Sequence, residues 1–219
     1  MEQARQWVDN VARRRASSHS ERRHDKREQL LQAAVRAVAE HGGAASTGQI
    51  AEAAGVPRPH VYRHFESREG LLDAVASVAA DELVASLRPS LSGSGTAPEL
   101  IRAPVEQTVA WAIANPNLYR FLATRRQHEG RRRTGFLGEV LSALRGYLGA
   151  GGVQLDLPDC VLAGLMALTD ASIVWWLEER DESAEALVER IARHVWVVIA
   201  DYAASQGTSI SADEVFARE

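Results

Sequence analysis

STGQIAEAAGVPRPHVYRHFESREGLL, from Ser46 to Leu72, is the stretch that decides the fold. Ser46 and Gln49 stand three apart as a capping box, each side chain placed to satisfy an orphan amide of the other. They open a short helix carrying Ile50, Ala51, Ala53 and Ala54. Gly55 supplies a positive φ where that helix must stop and turn within a few residues. Val56 is an apolar plug under the turn, and Pro57 fits the first turn of a second short helix, where its missing N–H costs nothing. The second helix carries Arg58, His60, Tyr62, Arg63 and His64, donor-rich side chains suited to base edges and phosphates. Two short helices, a glycine turn and a polar second helix spell a DNA-reading helix-turn-helix.

Working outward, Leu30, Leu31, Ala34, Val35 and Val38 repeat at three-four spacing and predict a helix over about 27–41, ended by Gly42-Gly43. Ser67 caps a long helix whose stripe of Leu71, Leu72, Val75 and Val78 runs towards Leu87. Pro89 and the Gly- and Ser-containing stretch up to Pro98 make the first clear break.

This ordered set resembles the DNA-binding domain of the tetracycline-repressor (TetR) family of bacterial regulators over residues 27–75. The matching features are Leu31, Ala33 and Ala34, then His41-Gly42, Ile50-Ala51 and Gly55-Val56, then Tyr62-Arg63-His64-Phe65, Ser67-Arg68-Glu69 and Leu71-Leu72. The resemblance implies an all-α fold: a three-helix head at 25–75 and a helical ligand-binding and dimerisation body at 76–219. It also implies a DNA-facing set of Ser46, Thr47, Arg58, Pro59, His60, Tyr62, Arg63, His64 and Arg68. Readout then rests on Arg58 and His60, while Tyr62, His64 and Arg68 grip the backbone. The chain departs from the family pattern at Gly48, Pro57 and Pro59, where one side-chain contact and two amide donors are missing.

Composition fits a soluble cytoplasmic regulator. Cys160 is the only cysteine, so no intramolecular disulfide is possible and a reducing compartment is the natural reading. The N-terminus has no apolar signal region; Arg13 to Arg15 interrupt it. The longest apolar run, Val161 to Leu177, reads as short for a bilayer crossing and contains Asp170, so no membrane partner is expected. The net charge of −4 is unevenly spread. Residues 1–70 hold 12 basic and 9 acidic side chains, a balance of +3, and residues 71–219 hold 13 and 20, a balance of −7. A DNA-binding head on an acidic body shows this asymmetry. Residues 1–24 are basic, with Arg5, Arg13 to Arg15, Arg22 and Arg23, and read either as an arm reaching DNA or as an extra helix packed through Trp7, Val8 and Val11.

Beyond the break the chain still reads as helix throughout, at about 98–114, from Leu118, at 136–148, from Pro158 to about Glu179, and from Ser183 to about Ala204. No alternating strand pattern is evident. The last two helices are apolar on more than one stripe, as for helices buried on more than one side. In TetR-like proteins such a pair meets its symmetry mate, which nominates Val161, Leu165, Leu168, Val195, Val198 and Ile199 for a homodimer interface suited to a palindromic operator. Trp111, Tyr119, Phe121, Phe136, Met166, Thr169, Asp170 and Trp175 fall on the helices that would line a cavity for an apolar or amphipathic inducer, although such residues also build cores. Asp170 must face solvent, pair with an arginine or histidine, or meet a ligand donor, because an unpaired buried carboxylate is costly. The arginines at 125–133 read as a connecting loop that either attracts an anion or is simply solvated.

An enzyme is the competing class. The sequence lacks a Gly-x-Ser-x-Gly elbow, a phosphate-cradling Gly-x4-Gly-Lys and a His-Glu-x-x-His pair, and its seven histidines are scattered. No catalytic residue, cofactor or metal is therefore expected. The third class is a DNA-binding regulator without small-molecule control.

Overall fold

A computed structural model describes residues 24–61, 63–91, 94–128 and 157–216, with backbone only for 126–128. Residues 1–23, Tyr62, Arg131 to Arg133 and the helix expected at 136–148 with Phe136 lie outside this range. The protein is all-α. Among the described residues there are eight α-helices: α1 (24–41), α2 (Thr47–Ala53), α3 (Arg58–Val61), α4 (Arg68–Leu87), α5 (Ala97–Ala114), α6 (Pro116–His128), α7 (Asp159–Glu179) and α8 (Ala184–Ser205). The chain forms two compact units that meet between Val75 and Ala76, inside α4.

In the head, α1 buries Leu30, Leu31, Ala34, Val35 and Val38, the stripe its spacing predicts. Gly42 ends the helix at φ +68, followed by a 3₁₀ turn over Gly42–Ala44. Helix α2 buries Ile50 and Ala51, and Val61, Phe65, Leu71, Leu72 and Val75 are also buried in this unit.

The body has two apolar clusters. One joins Ala97 and Ile101 of α5, Leu162 and Leu165 of α7 and Ala192, Ile199 and Ala203 of α8. The other joins Leu83 and Leu87 of α4, Val105 and Val109 of α5, Tyr119 of α6, Ile173 and Trp176 of α7 and Leu187 and Ile191 of α8. Helix α8 lies mainly along α5.

Three expectations change here. Arg125 and Arg126 belong to α6, not to a loop, because no breaker separates them from Leu122. A small antiparallel pair, β1 (Gly95–Thr96) with β2 (Val215–Phe216), carries Phe216 into the first cluster; two residues are too few to show alternation. Finally, α7 spans 21 residues, long and apolar enough to cross a bilayer by length and composition alone. Its Leu162, Leu165, Ile173, Trp176 and Leu177 are instead buried in the two clusters, as in a core helix.

Helix α5 starts with a second capping box, not foreseen. The Thr96 N–H donates to Glu99 Oε2 at 2.8 Å, and Thr96 Oγ1 accepts from the Glu99 N–H. The Thr96 amide, followed by the Thr96 hydroxyl, holds the Glu99 carboxyl below the usual carboxylate range. A carboxyl with a lowered folded pKa adds stability above its unfolded value, which is about 4.3 for glutamate, and that stability is lost as pH falls through the folded value. Amide protection at Thr96 to Glu99, taken relative to intrinsic exchange at each pH, should therefore fall on acidification below about pH 4, and Glu99→Gln should flatten that dependence.

Candidate functional site

The head presents its polar side chains on two one-to-two-turn helices. Both halves of the predicted box at α2 are made: the Ser46 N–H donates to Gln49 Oε1 at 2.7 Å, and the Gln49 N–H donates to Ser46 Oγ at 3.2 Å. Gly55 turns the chain at φ +64, and the Val56 N–H closes on the Ala51 carbonyl at 3.0 Å. Val56 is half-buried beneath that turn.

Helix α3 is shorter than the sequence predicts. It covers Arg58 to Val61 alone, while Arg63 and His64 lie on turns closed by bonds from their amides to the carbonyls of His60 and Val61. The cause is in the sequence. Pro57 and Pro59 bring no amide donors, so the first turn is held by the His60 N–H on the Pro57 carbonyl, and a single turn gains little cooperativity. Arg58, Pro59, His60 and Arg63 are all exposed, and His64 is half-buried. Arg58 and His60 are free of the head's core and point a guanidinium and an imidazole outwards, groups that bond guanine edges or phosphates.

Two members of the expected set stand differently. Thr47 is 5 % exposed, whereas Ser46 is exposed. Arg68 donates from Nη2 to the Ala45 carbonyl at 2.9 Å, a contact within the head that residue type and spacing do not reveal. Ser67 caps α4 as expected, accepting from the Gly70 N–H at 3.0 Å.

In the body, three of the eight ligand-site candidates come together. The Trp111 and Tyr119 rings stand 6.4 Å apart at 58°. The fully buried Tyr119 donates its hydroxyl to Asp170 Oδ1 at 2.8 Å. Asp170, 4 % exposed, thus meets a tyrosine hydroxyl, a partner beyond the solvent, cation and ligand options that its sequence context offers. Phe121 is buried with the Arg125 guanidinium 5.5 Å from its ring. Met166 packs against the other cluster, and the Thr169 hydroxyl bonds back to the Leu165 carbonyl at 2.9 Å.

Trp175 is 58 % exposed and donates to Asp181, outside any apolar interior. Its neighbour Trp176 takes the core position, Nε1 bonding the Glu182 carbonyl at 2.8 Å. Adjacent helical residues point about 100° apart, and Asp170, Ile173, Trp176 and Leu177 share the buried stripe at three-four spacing. That spacing, followed through the Trp pair, would have identified Trp176.

The interface candidates also divide. Leu165 and Ile199 are buried in the body's own cluster, with Val161 and Val195 packed against it, whereas Leu168 is half-exposed and Val198 is 39 % exposed. Leu165 and Ile199 thus pack within the chain itself, on a stripe that faces α5 and the C-terminal segment. Among the described residues no group of three His, Cys, Asp or Glu side chains could hold a metal ion.

Residues 30–75 match the family model described as bacterial regulatory proteins, tetR family. The transcriptional activator FasR of Mycolicibacterium smegmatis is 26 % identical over 184 residues, spanning 80 % of this chain and 83 % of that protein. A tetR-family regulator from Streptomyces coelicolor superimposes with a TM-score of 0.64 at 18 % identity, covering 83 % of both chains. The regulator FadR of Bacillus subtilis, solved with stearoyl-CoA, does so with a TM-score of 0.57 at 17 % identity, covering 79 % of this chain and 97 % of the other. On the operator, Arg58→Ala should cost about 1–3 kcal/mol and relax preference at one base step, measured by competition between operator variants. Equal losses on operator and random DNA would make Arg58 a phosphate contact.

Proposed function

From the match of residues 30–75 to the tetR family of bacterial regulatory proteins, we propose that the chain is a cytoplasmic repressor of that family. It binds a palindromic operator as a homodimer and leaves it when an apolar or amphipathic inducer enters the body. The observation that carries the DNA-binding part is the capped α2, the Gly55 turn and the outward Arg58 and His60 on α3. Ser46, Tyr62, Arg63 and His64 are the proposed flanking contacts. The apolar or amphipathic character of the inducer is supported by the fold shared with FadR, whose structure holds stearoyl-CoA, and by the apolar body around Trp111, Tyr119 and Phe121. FasR is an activator, so the sign of regulation is part of what the experiment reads.

Selecting bound sequences from a random DNA pool tests the reading and yields the operator. Stearoyl-CoA should then quench tryptophan emission and release that operator, with a coupling of about 1–3 kcal/mol that is the same in either order of addition. Trp111→Ala should blunt the release and leave operator affinity nearly intact. A body that binds acyl thioesters without changing operator affinity would overturn the inducer part while the DNA-binding part stands.

The homodimer is proposed to form on outward positions of α7 and α8: Leu168, Trp175, Val197 and Val198, three of which are exposed large apolar side chains. Val197 and Val198 are 56 % and 39 % exposed, so charging them leaves the chain's own clusters in place. Val197→Asp combined with Val198→Asp should give a folded monomer by light scattering, because unpaired carboxylates resist desolvation at an interface. A folded dimer in that variant would place the interface elsewhere.

A further inference from the structure

Helix α2 is held at both ends by arginines that belong to other helices. Arg68, the first residue of α4, reaches the carbonyl of Ala45 at 2.9 Å, just ahead of the Ser46 cap. Arg36 of α1 reaches the carbonyl of Ala53, the last residue of α2, at 3.4 Å. Seven residues form too short a helix to be stable in isolation, so contacts from outside set where its ends lie.

The two bonds differ physically. Arg36 puts positive charge at a helix C-terminus, which the backbone dipoles favour. Arg68 puts it at the opposite end, where the dipoles oppose a cation, and another cause must hold it there. That cause is the Ala45 carbonyl. Ala45 is fully buried and extended at φ −45, ψ 119, so its carbonyl stands outside the helical ladder. The Gln49 N–H, four residues on and its natural partner in a continuing helix, is taken by Ser46 Oγ. A part-buried carbonyl left without a donor is costly, and the Arg68 guanidinium supplies one.

We infer that Arg68 is a positioning residue of the DNA reader: it fixes the lead-in to α2 and acts through it, not by gripping a phosphate. The inference rests on the reading that the head binds DNA. In the free protein the bond exists without DNA, so one part of the test needs none.

Arg68→Met keeps the aliphatic stem and removes the donors. In the DNA-free protein, amide exchange at Ser46 to Ile50 should rise ~10-fold, while amides of Leu30 to Val38 in α1 keep their protection. On the selected operator, affinity should fall ~5–10-fold with the slope of log affinity against log salt unchanged, because no phosphate contact is lost. A slope shallower by about one unit per half-site, with exchange unchanged, would overturn the inference and make Arg68 a phosphate contact. Should the variant fail to fold, the wild-type protein carries the answer by NMR. The Arg68 Nη–H signal should be slow-exchanging in the free protein and unmoved by operator DNA; a signal that becomes protected only on DNA would overturn it. If wild-type protein binds no DNA at all, the function proposed above fails, while the exchange result still decides whether Arg68 holds the lead-in to α2.

Discussion

A helix of seven residues cannot hold itself together, and the head is built around that constraint. Nucleating a helix fixes several residues for one hydrogen bond, so α2 exists only because each of its ends is supplied with partners. Ser46 and Gln49 exchange bonds at one end, Arg36 and the turn at Gly55 close the other, and Ile50 and Ala51 are buried between them. Helix α3 is still shorter, with one proline just before it and one within it, so its orientation depends on the tight turn that joins it to α2. The outward reach of Arg58 and His60 is therefore a property of the whole head, not of the four residues that carry them.

The body obeys a different constraint. Burying a carboxylate among apolar side chains is tolerable only if its oxygens find donors, and Tyr119 provides one to Asp170 from a neighbouring helix. The Tyr119 ring lies in the apolar cluster shared by α4, α5, α7 and α8, so this polar bond and the packing around it fix the same two helices relative to each other. Trp111 leans on that ring from α5. A molecule entering among these residues would have to displace or join a hydrogen bond already made, which is a basis for chemical selectivity in an otherwise apolar interior.

The elements that were legible in the sequence are those with local chemistry. The capping box at Ser46, the cap at Ser67, the positive φ at Gly42 and Gly55 and the start of a helix at Pro158 each depend on residues within a turn of one another. What escaped depends on partners far along the chain. Arg68 meets Ala45 across 23 positions, Tyr119 meets Asp170 across 51, and β1 meets β2 across more than a hundred. The exchange of roles between Trp175 and Trp176 is an intermediate case. Both lie on an apolar helix, and only the phase of the stripe, set by Asp170 and Ile173, separates the inward indole from the outward one. Leu165 and Ile199 are a similar case: periodicity identifies a buried face but does not say whether the chain itself or a second copy buries it.

The pairing of Gly95-Thr96 with Val215-Phe216 has a consequence for how the protein is made. Among the described residues, 30–75 contain every apolar side chain that the head buries, so a ribosome can release a head with its core already closed. The body has no such option. One of its clusters includes Ala97 and Phe216, at opposite ends of its sequence, and closing so long a loop is slow. A finished reader therefore waits on the nascent chain beside an unfinished body, whose apolar helices stay exposed to aggregation and to chaperones until synthesis reaches Phe216.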